Sequence, residues 1–162
     1  MILKGTWLIF VVEKRFKLCE KGYFVVDIYF QPNYGKLYEK MENGTCEVFE
    51  YQSSLGQIHH MFIKREIPIK VDGKTYYDLI TPYGYGGPLI QDCKEGSRKE
   101  LAREFATEFR SYCIDNNIVS EFVRFHPIVG NAEDFKDCYD VEHVRNTVGT
   151  NLQDYEDPFM DE

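Results

Sequence analysis

Residues 97–127, SRKELAREFATEFRSYCIDNNIVSEFVRFHP, decide the fold class. Ser97-x-x-Glu100 reads as a capping box. Leu101, Phe105, Phe109, Tyr112 and Cys113 then return along one side of a helix until Asp115-Asn116-Asn117 stops it. An apolar stripe of that size must lie against a sheet. Beyond the stop, residues 118–127 read as a strand. Upstream, residues 45–51 and 57–65 flank the turn Ser53-Ser54-Leu55-Gly56 and predict a hairpin. Asp72-Gly73 separates two further strands, residues 67–71 and 75–81. Between these strands and the helix lies Thr81-Pro82-Tyr83-Gly84-Tyr85-Gly86-Gly87-Pro88, where three Gly and two Pro exclude regular structure.

Outward from this centre, Pro32-Asn33 opens a short amphipathic helix with Tyr34, Leu37, Tyr38 and Met41 on one face, ended by Asn43-Gly44. Residues 6–17 fit helix and strand alike. Asn131 is expected to cap a short helix reaching about Tyr139, and residues 144–152 read as a last strand. Antiparallel strands first, then strands alternating with helices, predict an α/β protein of the α+β kind: a mixed, largely antiparallel sheet with helices on both faces. Residues 1–152 are expected to form one domain and residues 153–162 an acidic, disordered tail.

The chain has 162 residues, 43% apolar and 28% charged, which is enough for one sizeable core. No stretch is long enough to cross a membrane, and the run from Trp7 to Val12 ends in Glu13-Lys14-Arg15 without a small-residue cleavage site, so a cytoplasmic protein is expected. The net charge of −8 arises in residues 132–162, which hold 2 basic and 10 acidic side chains, whereas residues 1–131 hold 17 of each. With no basic cluster to follow a phosphate backbone, nucleic acid is not an expected partner. Five widely spaced cysteines, without a Cys-x-x-Cys, indicate neither a disulfide framework nor a zinc knuckle. Cys113, on the helix stripe, reads as a small buried hydrophobe. His59 and His60 are neighbours on a strand and must point to opposite faces, so no metal site is expected from them.

Three segments together resemble the N-terminal half of Fem-like GNAT acyltransferases, relatives of the aminoacyltransferases that build peptidoglycan cross-bridges. They are Asp27-Ile28-Tyr29-Phe30 ahead of a helix with Tyr34 and Leu37-Tyr38-Glu39, then Tyr77-Asp78-Leu79-Ile80 running into the Gly-rich loop, then Glu121-Phe122-Val123-Arg124-Phe125-His126-Pro127. The resemblance covers roughly residues 27–152. It implies a GNAT-like fold and transfer of an acyl or aminoacyl group to a small-molecule or peptide amine. It also implies a family length about twice this chain, built of two GNAT units. The implied cofactor is acyl-CoA, gripped by backbone N–H groups of the loop before the long helix, here residues 82–97. The usual Gly-rich pyrophosphate signature is absent there, and Asp92, Cys93 and Glu95 stand in its place. The alternative is a non-catalytic substrate-binding or assembly module that has lost the donor site.

Tyr83, Tyr85, Gly86, Gly87, Arg124 and His126 are the candidate substrate-binding residues: a backbone surface flanked by aromatic walls, with an Arg and a His on one strand face able to meet an anionic group. The glycines fit equally a tight loop with positive φ, and Arg124 and His126 a rim charge beside an imidazole. Glu121, on the opposite strand face, is a candidate general base if that face meets the cleft. No nucleophile and no other base is identified. Half of a tandem protein would expose the surface that packs on its second unit, so a homodimer through the last strand or the aromatic loop is expected.

Overall fold

A computed structural model describes residues 8–11 and 27–148. The elements run β1 (Leu8–Val11), a 3-10 turn (Ile28–Phe30), α1 (Pro32–Leu37), α2 (Glu39–Glu42), β2 (Gly44–Ser53), β3 (Gly56–Glu66), β4 (Tyr77–Ile80), β5 (Leu89–Cys93), α3 (Arg98–Asp115), β6 (Ile118–Phe122), α4 (Ala132–Phe135) and β7 (Glu142–Asn146). The fold is α+β with a mostly antiparallel five-stranded sheet. The tail, residues 153–162, lies outside the described residues, as does most of residues 6–17, of which only β1 is described. No described helix is long and apolar enough to cross a membrane.

The strand β3 organises the sheet. One edge pairs with β2 along its whole length, from Gly44 opposite Arg65 to Ser53 opposite Gly56, which is the expected hairpin. The other edge is shared: Gly56–His59 pairs with β5, and Ile63–Glu66 pairs with β4. β4 and β5 thus act as two pieces of one interrupted strand. Between the pairs Ile80–Ile63 and Leu89–His59 the chain takes residues 81–88, whereas β3 needs only residues 60–62. The surplus bulges outward as the Gly-rich loop. β6 runs parallel to β4, and the contact extends through Thr81 N–H to the Phe122 carbonyl and Gly86 N–H to the Arg124 carbonyl. The pairing of β6 ends there and β5 continues along β3 alone.

Side chains of β3 at 58–63 are buried on both faces. Ile58 and Phe62 face α3, whose Leu101, Phe105 and Phe109 form the core with Leu79, Ile90, Val123, Phe125 and Phe135. Burying about ten such side chains, at roughly 1.5–3 kcal/mol each, is the main force holding α3 to the sheet. On the opposite face, α1 lies over β2 and β3, with Gly35 in contact with Cys46 and Met61; a Cβ there would sit 2.9 Å from Met61 Sδ. Helices therefore cover both faces, as expected, and His59 and His60 point to opposite sides.

Several details depart from the sequence reading. The first helix breaks at Tyr38 into α1 and α2, and Leu37 and Met41 are exposed; the close approach needs the missing side chain of Gly35, so the buried side turns to Gly35. Residues 67–71 form no strand: the Asp72-Gly73 turn closes only a Val71–Lys74 bridge, and Ile69 and Val71 are exposed. The strand from Ile118 stops at Phe122, with only isolated bridging beyond. Ser97 occupies the N-cap of α3, yet its side chain makes no capping bond. The last strand is displaced to Glu142–Asn146 and pairs in parallel with β1 in a separate two-stranded sheet, so one of its edges is covered; residues 149–152 are outside the described part.

Candidate functional site

The Gly-rich loop and the segment after β6 meet at one place, locked by Asn131. Its side chain is fully enclosed. Oδ1 accepts the His126 N–H at 2.9 Å, and Nδ2 donates to the Gly86 and Pro88 carbonyls at 2.9 and 3.0 Å. Asn131 is positioned ahead of α4 as a cap would be, but makes no cap bond; it staples the loop to the His126 segment instead. Gly87, at φ 86°, packs against Val123 and Phe125, where a Cβ would lie 2.6 Å from Val123 Cγ1, so this turn admits only glycine without strain. Gly84, at φ 96°, lies directly against the Tyr29 ring.

His126 is buried, and both ring nitrogens are engaged. Nδ1 accepts the Val129 N–H at 3.2 Å, so the proton resides on Nε2, which faces Asp27 Oδ2 at 3.3 Å. Burial pushes the imidazole below its ordinary pKa, and Asp27 only partly offsets this. The His126 ring packs against Tyr85 at 5.2 Å and Tyr29 at 5.6 Å between centroids. From Tyr29 the aromatic contacts continue to Tyr34, then Tyr38, which stacks on Tyr83. The Tyr34 hydroxyl donates to the Tyr83 carbonyl at 2.9 Å. Burial pushes the Tyr29 and Tyr34 phenols above their ordinary pKa, with Asp27 adding to the first and Tyr38 to the second, so both remain neutral donors.

Arg124 follows Phe122 on the same side of the strand. Its guanidinium lies 5.2 Å from the Phe122 ring centre, and Nη1 donates to the Thr81 and Pro82 carbonyls at 3.3 and 3.4 Å. Thr81 Oγ1 accepts the Arg124 backbone N–H. Among the described residues no carboxylate pairs with Arg124, and Nε and Nη2 meet no acceptor. A half-buried guanidinium held by one edge presents the rest of its fork for an anion.

No family model, no curated protein and no solved structure matches the chain.

Of the candidate residues, Tyr85, Gly86, Arg124 and His126 are in direct contact or share a backbone bond, Gly87 anchors the turn from the core side, and Tyr83 joins through Tyr34 and Tyr38, its own side chain being 65% exposed. Glu121 is not with them. It projects to the α3 side, where Oε1 meets His60 Nε2 at 2.5 Å and where Tyr139 bonds it, burial followed by Glu121 raising that phenol well above its usual range. A base enclosed in the core cannot reach a ligand at the loop. His60 is itself fully buried, with Nδ1 unpartnered among the described residues. Cys113 packs against the core but is only partly buried, where full burial was expected; burial and then Glu121 push its thiol up to about 12, which removes it as a nucleophile.

The stretch that the resemblance aligns with a pyrophosphate loop, and that lacks its signature, runs through a strand. Asp92 and Cys93 belong to β5, opposite Gln57 and Gly56, leaving a short connection to α3 in which Ser97 N–H is tied to the Lys94 carbonyl. A depression of about 300 Å³ at the hairpin tip, lined in part by Gln52, Ser54, Gln57, Asp92 and Lys94, contains none of the loop residues. No metal-ligating cluster occurs among the described residues. Sequence reading passed over Thr81, and it took Asp27 only as part of the resemblance. Both act through partners distant in sequence.

Proposed function

We propose that this chain is the acceptor-side domain of a Fem-like GNAT N-acyltransferase, holding a carboxylate-bearing amine at the Tyr-Gly-Tyr-Gly-Gly-Pro loop and relying on a second GNAT unit for the acyl donor. The observation that carries this reading is Arg124: a guanidinium beside the loop, with no acidic partner and with three of its five donors open among the described residues. The parallel β4–β6 pair, connected through α3 and parting where β5 begins, supports the architecture. The short connection before α3 favours acceptor binding over acyl-CoA binding by this chain alone, because only residues 94–97 separate β5 from α3 and the carboxylates of Asp92 and Glu95 would repel phosphate.

The experiment is an NMR titration of the labelled chain with propionate and with acetyl-CoA. Propionate is expected to move amide signals of Tyr83–Gly87 and Arg124–His126, and Arg124→Ala is expected to weaken its binding about tenfold or more. Acetyl-CoA is expected to leave Lys94–Lys99 unmoved. Saturable acetyl-CoA binding at the start of α3, or propionate responses elsewhere only, refutes the proposal.

A further inference from the structure

The charge opposite Arg124 in this cluster is Asp27. Oδ1 accepts the Tyr29 N–H at 3.1 Å, and Oδ2 lies 3.3 Å from Nε2 of His126. Each carboxylate oxygen has two lone pairs, so each keeps one free, and 36% of the side-chain surface is open. The Tyr29 ring, packed on Tyr85 at 5.4 Å between centroids, stands beside it, and aromatic rings next to a carboxylate favour an ammonium group. Among the described residues Asp27 pairs only with His126, whose proton arrangement is that of the neutral ring; no Lys or Arg reaches it. Arg124 lies two residues before His126, beyond the end of β6, and the two are joined through Gly86, whose N–H bonds the Arg124 carbonyl and whose carbonyl is tied by Asn131 to the His126 N–H. Among the described residues the cluster thus holds a carboxylate without a Lys or Arg partner and a guanidinium without a carboxylate partner.

We infer that Asp27, oriented by His126, binds the ammonium group of the acceptor, while Arg124 binds a carboxylate of the same molecule. The ligand class is a zwitterionic amino acid or short peptide. This rests on the acceptor-side reading above. His126 is a positioning residue: its donor is spent on Asp27, and it meets the ligand only through that carboxylate.

Three probes test it by NMR titration of the full chain near neutral pH: propylammonium, propionate and glycylglycine. Propylammonium is expected to shift Tyr29, Tyr85 and His126 signals. Asp27→Asn retains Oδ1 as the acceptor for Tyr29 N–H, so the turn is kept, and it should weaken propylammonium by about tenfold or more while leaving propionate unchanged. Arg124→Ala should do the reverse, and glycylglycine should bind more tightly than either single probe and lose affinity in both variants. Unchanged propylammonium affinity in Asp27→Asn overturns the inference, as does an equal loss of propionate, which would mean that Asp27 only holds the turn. In the first case a persisting propionate response at Arg124 still upholds the acceptor-side reading. Silence toward all three probes overturns both.

Discussion

Replacing Asn131 by Ala should be among the most damaging single changes in this protein. The side chain is 1% exposed and satisfies three buried backbone groups: one N–H of His126 and the carbonyls of Gly86 and Pro88. Alanine leaves all three without partners where water does not reach. A buried group that loses its only partner costs about 1–3 kcal/mol; carbonyls, with softer demands, sit at the low end, so the sum is about 3–5 kcal/mol. Against a total stability of about 5–15 kcal/mol this is a large fraction. Urea unfolding followed by far-UV circular dichroism reads it directly. With a slope of about 2 kcal/mol per molar urea, the midpoint should fall by about 2 M. Asn131→Asp should be no better, since it keeps the acceptor for His126 but turns a carboxylate oxygen toward two carbonyls. Amide exchange at Gly86 and His126 should accelerate in both variants. A loss below about 1 kcal/mol with an unchanged slope would refute the staple, because three buried bonds cannot vanish at that cost.

Gly87→Ala should destabilise by about 2–4 kcal/mol, combining a positive φ with a collision against Val123; Gly73→Ala, with similar φ but no atom within 4 Å, should lose only about 1 kcal/mol, and equal losses in thermal unfolding would refute the packing argument. Acidification should weaken the fold through His126: its folded pKa lies below the unfolded value of about 6.5, so the unfolded chain binds more protons, and stability falls as pH drops through about 6.5 until the folded pKa is passed. His126→Gln should remove that part of the slope, and an identical pH profile in the variant would count against it. Arg124→Ala should weaken propionate by about 1.5–3 kcal/mol, roughly ten- to a hundredfold, with thermal stability little changed; a loss of affinity under twofold would dismiss the anion role.

How far the sequence was legible follows the range of the interactions. The β2–β3 hairpin and α3 are set by local signals, a turn between two strand runs and a repeat of Leu101, Phe105 and Phe109, and both stand where those signals put them. The Gly- and Pro-rich composition announced a loop at 81–88, yet nothing in it says that β4 and β5 share one edge of β3, which depends on register set by a distant strand. Leu37 and Met41 misled because their spacing suits a helix face, whereas Gly35 is the residue that lets the backbone approach Met61. Of the candidate residues, Tyr85, Gly86, Arg124 and His126, named from one loop and one strand, come together in the fold. The roles of Asp27 and Asn131 were not legible, because His126 for the first and Gly86 and Pro88 for the second lie far along the chain, and neither residue type distinguishes a cap from a staple or a positioned carboxylate.

Splitting a single strand into β4 and β5 has a thermodynamic consequence for the loop between them. Both ends of the loop are fixed by sheet pairing, and its middle is pinned by Asn131 and by the Gly86 bond to Arg124. Its backbone is already ordered before any encounter, so little conformational entropy remains to be lost on association, and a few small contacts can produce measurable affinity. A free loop of the same composition would first have to be immobilised, at about 1–2 kcal/mol per residue. The sheet meets that cost during folding, so the loop presents a rigid surface.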